Sequence, residues 1–363
     1  MVILLKGLYI HIPFCAVKCG YCDFYSIKYN INTAQQYKSE LVRRLSDMDD
    51  VFDTVYFGGG TPSMIGADAI CEILSHIKYV QNAEITVECN PKVYKLDFFD
   101  KISSCGVNRV SIGLQSANEN ELLFLTRNHT ADDVTKTIKL CKEAGINNIS
   151  LDVMLGIKGQ TQSTLKRTLD YCIESGAKHI SAYMLSIEEN TPFSKLDIST
   201  LPTEDDVSDL YLYCCDYLSS HGYRHYEISN FAKPEYQARH NTIYWSLDEY
   251  IGLGAAAHSM VGKKRYYFPR DIQYFLNGNA PIYDGDACGV EEQIMLKLRL
   301  DTGIEISYIK ENEAINADRF IKKCRYFESI GLMKINEKSV SLTDEGFLVQ
   351  NSIVCKLLEE VKL

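Results

Sequence analysis

The sequence predicts an α/β protein whose larger part is an open, partial (β/α)6 barrel, followed by a smaller C-terminal α+β unit. Six short apolar runs recur along the chain, and several are rich in β-branched and aromatic residues, as buried strands are. Helix-like periodic segments separate most of these runs. Strands that alternate with helices form a parallel sheet with right-handed crossovers. The length of 363 residues suits one large α/β domain and a smaller one.

The predicted elements can be placed on the chain from these patterns. The six strands are LYIHI (8–12), TVYF (54–57), EITVE (84–88), RVSIGL (109–114), ISLDVML (149–155) and HISAYML (179–185). Among the predicted helices are AQQYKSELVRRL (34–45), ADAICEILSHI (67–77) and ADDVTKTIKLCKEAG (131–145).

Polar residues and turns occur where the predicted strands end. The first strand leads to three cysteines and the second to GGGTP (58–62), whereas the third ends at Glu88 and the fourth at Gln115. The fifth strand carries Asp152 inside an apolar run. Barrels of this kind have their active sites at the C-terminal ends of the strands. These residues therefore predict one shared site.

From about residue 285 the pattern changes to amphipathic helices, a predicted hairpin in LMKINEKSVSLT (332–343) and a final helix. Helix, helix and hairpin resemble a winged helix, a fold often used on DNA. Residues 291–363, however, carry 11 Lys and Arg against 13 Asp and Glu, so we interpret this unit as a packing or lid domain. The predicted divisions are 1–230 for the barrel, 231–284 for a connecting region and 285–363 for the C-terminal unit.

The composition excludes several classes of protein. A net charge of −10 argues against general nucleic-acid binding, and the sequence contains no membrane-spanning apolar run and no recognisable signal peptide. Ten of the thirteen cysteines are scattered within apolar segments, and we expect them to be reduced, buried core residues. We expect a cytoplasmic protein without an integral membrane segment; peripheral attachment to a membrane through partners stays open.

The other three cysteines, Cys15, Cys19 and Cys22, form a compact loop in YIHIPFCAVKCGYCDFYS (9–26). Structural zinc takes four ligands, and the nearby His11 lacks a standard zinc spacing. A [4Fe-4S] cluster accepts Cys thiolates, and one of its irons can stay without a protein ligand. Three cysteines therefore favour a cluster whose open iron binds a substrate or cofactor, with zinc as the alternative.

The Cys-x3-Cys-x2-Cys loop with Tyr21 before its last cysteine resembles the radical S-adenosylmethionine (SAM) superfamily. The resemblance implies that SAM occupies the open iron and that an electron from the reduced cluster cleaves its sulfonium C–S bond. VYFGGGTPS, SIGLQS and LDVMLG further resemble oxygen-independent coproporphyrinogen III oxidases and their relatives. By this resemblance Cys15, Cys19 and Cys22 ligate the cluster. The implied SAM-binding residues are Tyr9, Tyr21, Gly59, Gly60, Thr61, Glu88, Gln115, Arg127 and Asp152.

Two members of this group of proteins are the alternatives for function. Oxidases commonly carry a further cysteine where this chain has Phe24, and they have a longer N-terminal extension. RHNTIYW (239–245) instead resembles the His-Asn-x-x-Tyr-Trp motif of HemW-type heme chaperones. This resemblance implies that His240 binds heme iron and that Tyr244 and Trp245 pack on the macrocycle.

The sequence therefore predicts a heme chaperone that delivers heme to acceptor proteins and is built on a [4Fe-4S] and SAM-binding fold. The alternative is an oxygen-independent coproporphyrinogen III oxidase, a SAM-dependent decarboxylase of porphyrin biosynthesis. Expected partners are heme, heme-accepting proteins and a low-potential electron donor. Whether SAM is productively cleaved, and hence whether the chain is an enzyme, stays open at this point.

Overall fold

The computed structural model describes residues 6–92 and 97–362 and has one large mixed sheet of twelve strands at its centre. Within these two ranges the strands are β1 (Lys6–Ile12), β2 (Phe14–Cys15), β3 (Ile27–Lys28), β4 (Val51–Gly59), β5 (Lys78–Cys89), β6 (Arg109–Gln115), β7 (Asn148–Leu155), β8 (His179–Met184), β9 (Arg224–Glu227), β10 (Asn230–Ala232), β11 (Glu249–Leu253), β12 (His258–Val261), β13 (Lys264–Tyr267), β14 (Ile282–Asp286), β15 (Ile304–Glu305), β16 (Met333–Ile335) and β17 (Ser339–Leu342). The order in the large sheet is β14-β13-β12-β11-β1-β4-β5-β6-β7-β8-β10-β9.

Helices pack against this sheet and form most of the C-terminal unit. They are α1 (Ile31–Ser46), α2 (Ala67–Ser75), α3 (Phe98–Ser104), α4 (Glu119–Phe124), α5 (Ala131–Glu143), α6 (Gln162–Glu174), α7 (Glu204–Ser220), α8 (Arg239–Ser246), α9 (Ile272–Leu276), α10 (Val290–Lys297), α11 (Ile306–Glu311), α12 (Ala317–Ser329), α13 (Asp344–Leu348) and α14 (Gln350–Leu358). None of them, within the described ranges, is long and apolar enough to span a bilayer.

All six predicted strands are confirmed as β1, β4, β5, β6, β7 and β8, and neighbours among them pair in parallel. Every residue of β6 is buried, as expected for a parallel strand that is covered on both faces. Their carboxyl ends lie at one edge of the sheet, which makes the open, partial barrel that the sequence predicts.

The predicted connecting region, 231–284, contains strands that extend the large sheet. Strand β11 pairs in parallel with β1, and β12, β13 and β14 follow as an antiparallel extension. Strand β11 is absent from the elements predicted above. The segment EYIGL is short and is separated from β1 by more than 200 residues, so its pairing has no local signal in the sequence.

The C-terminal unit has the helices and the hairpin that the sequence predicts. Strands β16 and β17 pair antiparallel, with Met333 opposite Leu342, and β15 adds a third strand to this small sheet. Helices α12 and α14 pack beside it through the buried side chains of Phe320, Ile353 and Leu357.

The expectation of ten reduced and buried cysteines is wrong in part. Cys71 of α2 and Cys105 at the end of α3 are joined by a disulfide, because the packing of these two helices brings their sulfur atoms together. Cys288 is half-buried and Cys355 is exposed on α14. The remaining six are free and buried, as expected: Cys89, Cys141, Cys172, Cys214, Cys215 and Cys324.

Tyr37 of α1 fixes the strand that precedes the cysteine loop. Its hydroxyl donates to the carbonyl of His11 on β1 and accepts from the backbone N–H of Ala255, both over 2.9 Å. Gly254 makes this contact possible, because its φ is +114° and a Cβ there would lie 2.3 Å from the Tyr37 hydroxyl oxygen. Helix α1, β1 and the turn after β11 are therefore held at one buried point.

Replacing Gly254 with Ala should destabilise the protein by on the order of 2 kcal/mol or more, because it combines an unfavourable φ with a steric clash against buried groups. The measurement is the free energy of unfolding from denaturant titration. Gly278→Ala is the matched control, since Gly278 also has a positive φ (+77°), but a Cβ there would have no atom of the described residues within 4 Å. Equal losses in the two variants would contradict the role assigned to the Tyr37 contact.

Candidate cofactor site

A cavity of about 470 Å³ lies at the carboxyl ends of the parallel strands, where the sequence places the site. The predicted residues that line it are Cys15, Cys19, Tyr21, Cys22, Gly59, Gly60, Thr61, Glu88, Gln115, Arg127 and Asp152. Eleven of the thirteen predicted site residues thus face one space, although they come from segments spread over 138 positions of the chain. Tyr9 and His240 are not among the lining residues.

The base of the cysteine loop is closed by backbone hydrogen bonds. Strands β2 and β3 pair in parallel, the N–H of Ile27 donates to the carbonyl of Pro13 over 2.7 Å, and the N–H of Tyr29 donates to that of Cys15 over 2.9 Å. Between these bonds the chain has to loop out, which carries Cys19 and Cys22 over the cavity. The thiols are free and partly exposed, so they are accessible as ligands.

The spacing of the three thiols fits a cluster better than a single ion. Ligands of one tetrahedral zinc lie about 2.3 Å from the metal and therefore within about 4 Å of each other. Among the described residues, the loop cysteines do not form a set of ligand atoms that all lie within 4.8 Å of one another. A [4Fe-4S] cluster spreads its thiolates over separate irons, so the wider spacing suits it.

Charge in the loop also favours a cationic occupant. Burial raises the pKa of the Cys22 thiol, and the negative charge of Cys19 and Cys15 raises it further, because neighbouring thiolates repel one another. A bound iron centre would offset this repulsion, and the guanidinium of Arg127, whose Nη1 lies 3.5 Å from the sulfur of Cys19, already offsets part of it.

The GGGTP turn is attached to the start of the cysteine loop. The N–H of Gly60 donates to the carbonyl of Ile12 over 2.9 Å, and that of Thr61 donates to the carbonyl of Phe14 over 2.8 Å. The Thr61 hydroxyl accepts from the side-chain amide of Asn90 over 2.8 Å and lies 3.7 Å from the sulfur of Cys15. Gly59 has a φ of +109°, and a Cβ there would lie within 2.8 Å of the His11 ring.

Glu88 is held in a polar pocket behind this turn. Its carboxylate accepts from the Tyr56 hydroxyl over 2.8 Å and from the backbone N–H of Gly59 over 3.1 Å. Burial nevertheless raises its pKa to about 7, with the neighbouring charge of Asp152 adding to the shift. Near neutral pH this side chain can therefore exist both as a carboxylate and as a carboxylic acid.

Three further side chains lie on the floor of the cavity. Asp152 accepts from the Ser111 hydroxyl over 3.1 Å, and burial raises its pKa. Gln115, the last residue of β6, has a left-handed φ of +66°, a strained conformation of the kind that occurs at binding sites. Arg109 is 2% exposed, its Nε has no hydrogen-bond partner among the described residues, and the bond from its Nη1 to the Thr86 hydroxyl is 3.5 Å long.

Tyr9 and His240 lie behind the cavity wall. The Tyr9 hydroxyl is 3.0 Å from Nδ1 of His11, and its ring stacks on Tyr56 at 6.1 Å. His240 is 1% exposed and both its ring nitrogens are engaged, Nδ1 with the Thr54 hydroxyl and Nε2 with the Tyr244 hydroxyl, each over 2.7 Å. Burial lowers the pKa of His240 to about 3, so the imidazole is neutral. The neighbouring Asn241, in contrast, lines the cavity.

Three residues that shape the cavity are missing from the set predicted from the sequence. Arg109 begins the RVSIGL strand, and a charged residue at a fully buried strand position was a signal that could have identified it. Asn90 positions the guanidinium of Arg127 through a hydrogen bond of 2.7 Å. Asn241 lies in the RHNTIYW segment, but its direction towards the barrel interior follows only from the packing of α8 on β1 and β4.

As the pH rises from 5 to 8, the free energy of unfolding of the Glu88→Gln variant should increase relative to that of the wild type. The folded carboxyl has a pKa of about 7 against an ordinary 4.5, so the native state holds a proton that the unfolded chain has already lost. The wild-type free energy of unfolding therefore falls through this window, by on the order of 2 kcal/mol from this group, and the glutamine variant lacks that contribution. Thermal melting of SAM-free protein across this pH range measures it; parallel curves would contradict the raised pKa.

Comparisons with known proteins agree with this geometry. Residues 9–172 match the model of the radical SAM superfamily. The chain is 30% identical to the heme chaperone HemW of Lactococcus lactis over 97% of both chains, and 30% identical to that of Bacillus subtilis over 98% of this chain and all of the relative. It is 36% identical to HemW of Escherichia coli over 70% of both chains.

The fold is also that of a solved relative. The coproporphyrinogen III oxidase HemN of Escherichia coli, described as a radical SAM enzyme, superposes with a TM-score of 0.83 at 21% identity, over 98% of this chain and 90% of HemN. At 21% identity this similarity shows only that the fold is shared. The HemW proteins, which match over nearly the full length of the chain, identify the family. The radical SAM superfamily implies a [4Fe-4S] cluster and SAM, and the three free thiols that line this cavity are donors of the kind that such a cluster takes. The chain belongs to the radical SAM superfamily and, within it, to the HemW family of heme chaperones.

Proposed function

We propose that this protein is a heme chaperone that binds heme and passes it to acceptor proteins, with a [4Fe-4S] cluster and SAM held in the barrel. The observation that carries the proposal is the HNxxYW helix α8 in a chain whose curated relatives, matched over nearly their full length, are named heme chaperones. Coproporphyrinogen III oxidase is the alternative, favoured only by a fold shared at 21% identity.

Cluster and SAM have defined places in this proposal. Cys15, Cys19 and Cys22 hold the cluster, and the cavity below accepts SAM. When bound, the cluster and SAM together supply reductive cleavage of a sulfonium C–S bond. The chain's own contribution is to bind and orient them, and the turn at Gly59, Gly60 and Thr61, which lies against the start of the cysteine loop, would hold the methionyl end of SAM. Arg127 offers a guanidinium suited to a carboxylate.

Acidic and amide side chains complete the proposed SAM pocket. Glu88, Gln115 and Asp152 suit the amino group and the ribose hydroxyls of SAM, and Tyr21 lines the same wall. Tyr9 lies one layer further back, where it supports the position of Tyr56. Its proposed contribution to SAM binding is therefore indirect, through the packing of the Tyr56 ring beside Glu88.

Two exposed apolar side chains lie on the cysteine loop, one of them where an oxidase commonly has a further cysteine. Phe24 is 66% exposed and Val17 on the same loop is 71% exposed, and both line the cavity. Exposed apolar side chains suit contact with a flat macrocycle or with a protein partner. They offer no thiol and no general acid for porphyrinogen chemistry.

His240 remains the proposed heme ligand, and the hydrogen bonds of its ring nitrogens determine which bonds have to break when heme binds. Nε2 accepts or donates the hydrogen bond to Tyr244, and Nδ1 is held by Thr54. Axial ligation through Nε2 therefore breaks the Tyr244 bond and opens α8 towards solvent. Heme binding in this proposal is coupled to a local rearrangement of α8.

Replacing Cys19 with Ser should prevent assembly of a full [4Fe-4S] cluster on anaerobic reconstitution, because one of three iron-binding thiols is lost. Iron and sulfide analysis together with the visible absorbance measures the loss. Cys89→Ser is the matched control: Cys89 also lines the cavity but is buried and is not a proposed ligand. Full iron and sulfide in Cys19→Ser would contradict the ligand assignment.

Heme titration should give about one heme per chain with a shifted Soret band, and His240→Ala should weaken binding at least about tenfold. Tyr244→Phe should tighten binding severalfold, because the bond that ligation has to break is already absent. His258→Ala, at an exposed histidine of the β12–β13 hairpin, should leave affinity unchanged. Unaltered affinity in both His240→Ala and Tyr244→Phe would show that His240 is structural.

A further inference from the structure

A second group of ligand-forming side chains lies away from the barrel cavity, between the large sheet and the C-terminal unit. Cys215 on α7, His225 on β9 and Asp344, the first residue of α13, each offer one ligand atom, and these atoms all lie within 4.8 Å of one another. Three elements of the chain, one of them from the C-terminal unit, thus meet at one point. Neither the cluster site nor the heme proposal uses any of the three.

The imidazole of His225 is held firmly in this group. Nδ1 lies 2.6 Å from Oδ1 of Asp344, and the ring stacks on Phe231 with 4.2 Å between centroids. Phe347, one turn after Asp344, contacts the ring edge-on, with 5.1 Å between centroids. Because the His225 ring is already held in one orientation, its side chain loses less conformational entropy when it binds a metal.

The three donors differ in kind, and together they suit a borderline divalent ion. A thiolate sulfur, an imidazole nitrogen and a carboxylate oxygen are the three donor types that Zn²⁺ takes in proteins. Hard ions such as Mg²⁺ prefer oxygen alone. The spacing, too, is that of a single ion: bringing atoms from 4.8 Å to about 4 Å apart needs only small side-chain movements.

We propose that Cys215, His225 and Asp344 form a mononuclear Zn²⁺ site that fastens the C-terminal unit to the barrel. Binding forms one Zn–S, one Zn–N and one Zn–O bond, and the Cys215 thiol proton leaves to solvent as the Zn–S bond forms. His225 binds as the neutral tautomer whose proton is on the ring nitrogen that does not bind zinc, and the present hydrogen bond between Nδ1 and Asp344 is replaced by bonds to the ion. The oxidation state of zinc is unchanged, so no electron donor or acceptor takes part.

Access and the fourth coordination position both lie on the Asp344 side. Cys215 is fully buried and the His225 side chain is 5% exposed, whereas the Asp344 side chain is 36% exposed. An ion can therefore enter past Asp344, and water completes the tetrahedron there. This arrangement of three protein ligands and one open position would be lost if α13 separated from β9, which makes the site sensitive to docking of the C-terminal unit.

The competing interpretation is a metal-free contact in which Asp344 and His225 are simply hydrogen-bonded across the junction. Zinc titration of anaerobic, cluster-loaded protein separates the two, with bound zinc counted per chain and the zinc K-edge X-ray absorption recorded. Absorption at the zinc K-edge does not report on the iron of the cluster. If the iron and sulfide content stays constant during the titration, zinc has not replaced the cluster. We expect one zinc per chain with one sulfur ligand at about 2.3 Å.

Cys215→Ser should remove the sulfur ligand and weaken zinc binding at least about tenfold, and Asp344→Asn should weaken it without removing the sulfur. Cys214→Ser is the matched control, because Cys214 is the equally buried neighbouring residue on α7 but is not in the group. Because Asp344 is at the surface, its variant stays informative if Cys215→Ser fails to fold. Less than about a tenth of a zinc per chain, or unchanged affinity in Asp344→Asn, would overturn the proposal in favour of the metal-free contact.

Discussion

Two backbone hydrogen bonds between the turn after β4 and the start of the cysteine loop are the constraint on which the site depends. They run from the N–H groups of Gly60 and Thr61 to the carbonyls of Ile12 and Phe14. They bring a glycine-rich backbone against the loop that carries the thiols, in a space where a side chain at Gly60 would lie 2.8 Å from a carbonyl oxygen. Thr61 and Asn90 then connect this point to Arg127, and Arg127 to Cys19.

The barrel and most of its site could be predicted from the sequence because parallel strands place their carboxyl ends at one edge. Once six strands were recognised, residues as far apart as Cys15 and Asp152 had to meet. Long-range pairings carried no such signal. Strand β11 joins β1 only through tertiary packing, and the Cys71–Cys105 pair follows from how α2 and α3 pack.

The HNxxYW motif shows what a resemblance could and could not provide. It identified residues 239–245 as a distinctive segment, but nothing in the order of residues indicated that His240 points into a buried cluster while Asn241 faces the cavity. That direction is set by Glu84, whose carboxylate accepts from the backbone N–H groups of Arg239 and His240 at the start of α8. The motif helix therefore lies directly behind the wall that carries Tyr56 and Glu88, and the His240 ring stacks on that of Tyr56 with 5.0 Å between centroids. Under the proposed function, a movement of α8 on heme binding would therefore reach the cavity in which SAM is proposed to bind.

The distinction between chaperone and oxidase is the central claim, and one anaerobic assay tests it most directly. Reconstituted protein is incubated with SAM, a low-potential reductant and coproporphyrinogen III, and the porphyrinogen products are followed together with methionine and 5′-deoxyadenosine. The chaperone account predicts no decarboxylated porphyrinogen from a preparation that has a full cluster and binds heme. Substrate-dependent decarboxylation would contradict it and make the protein an oxidase despite Phe24.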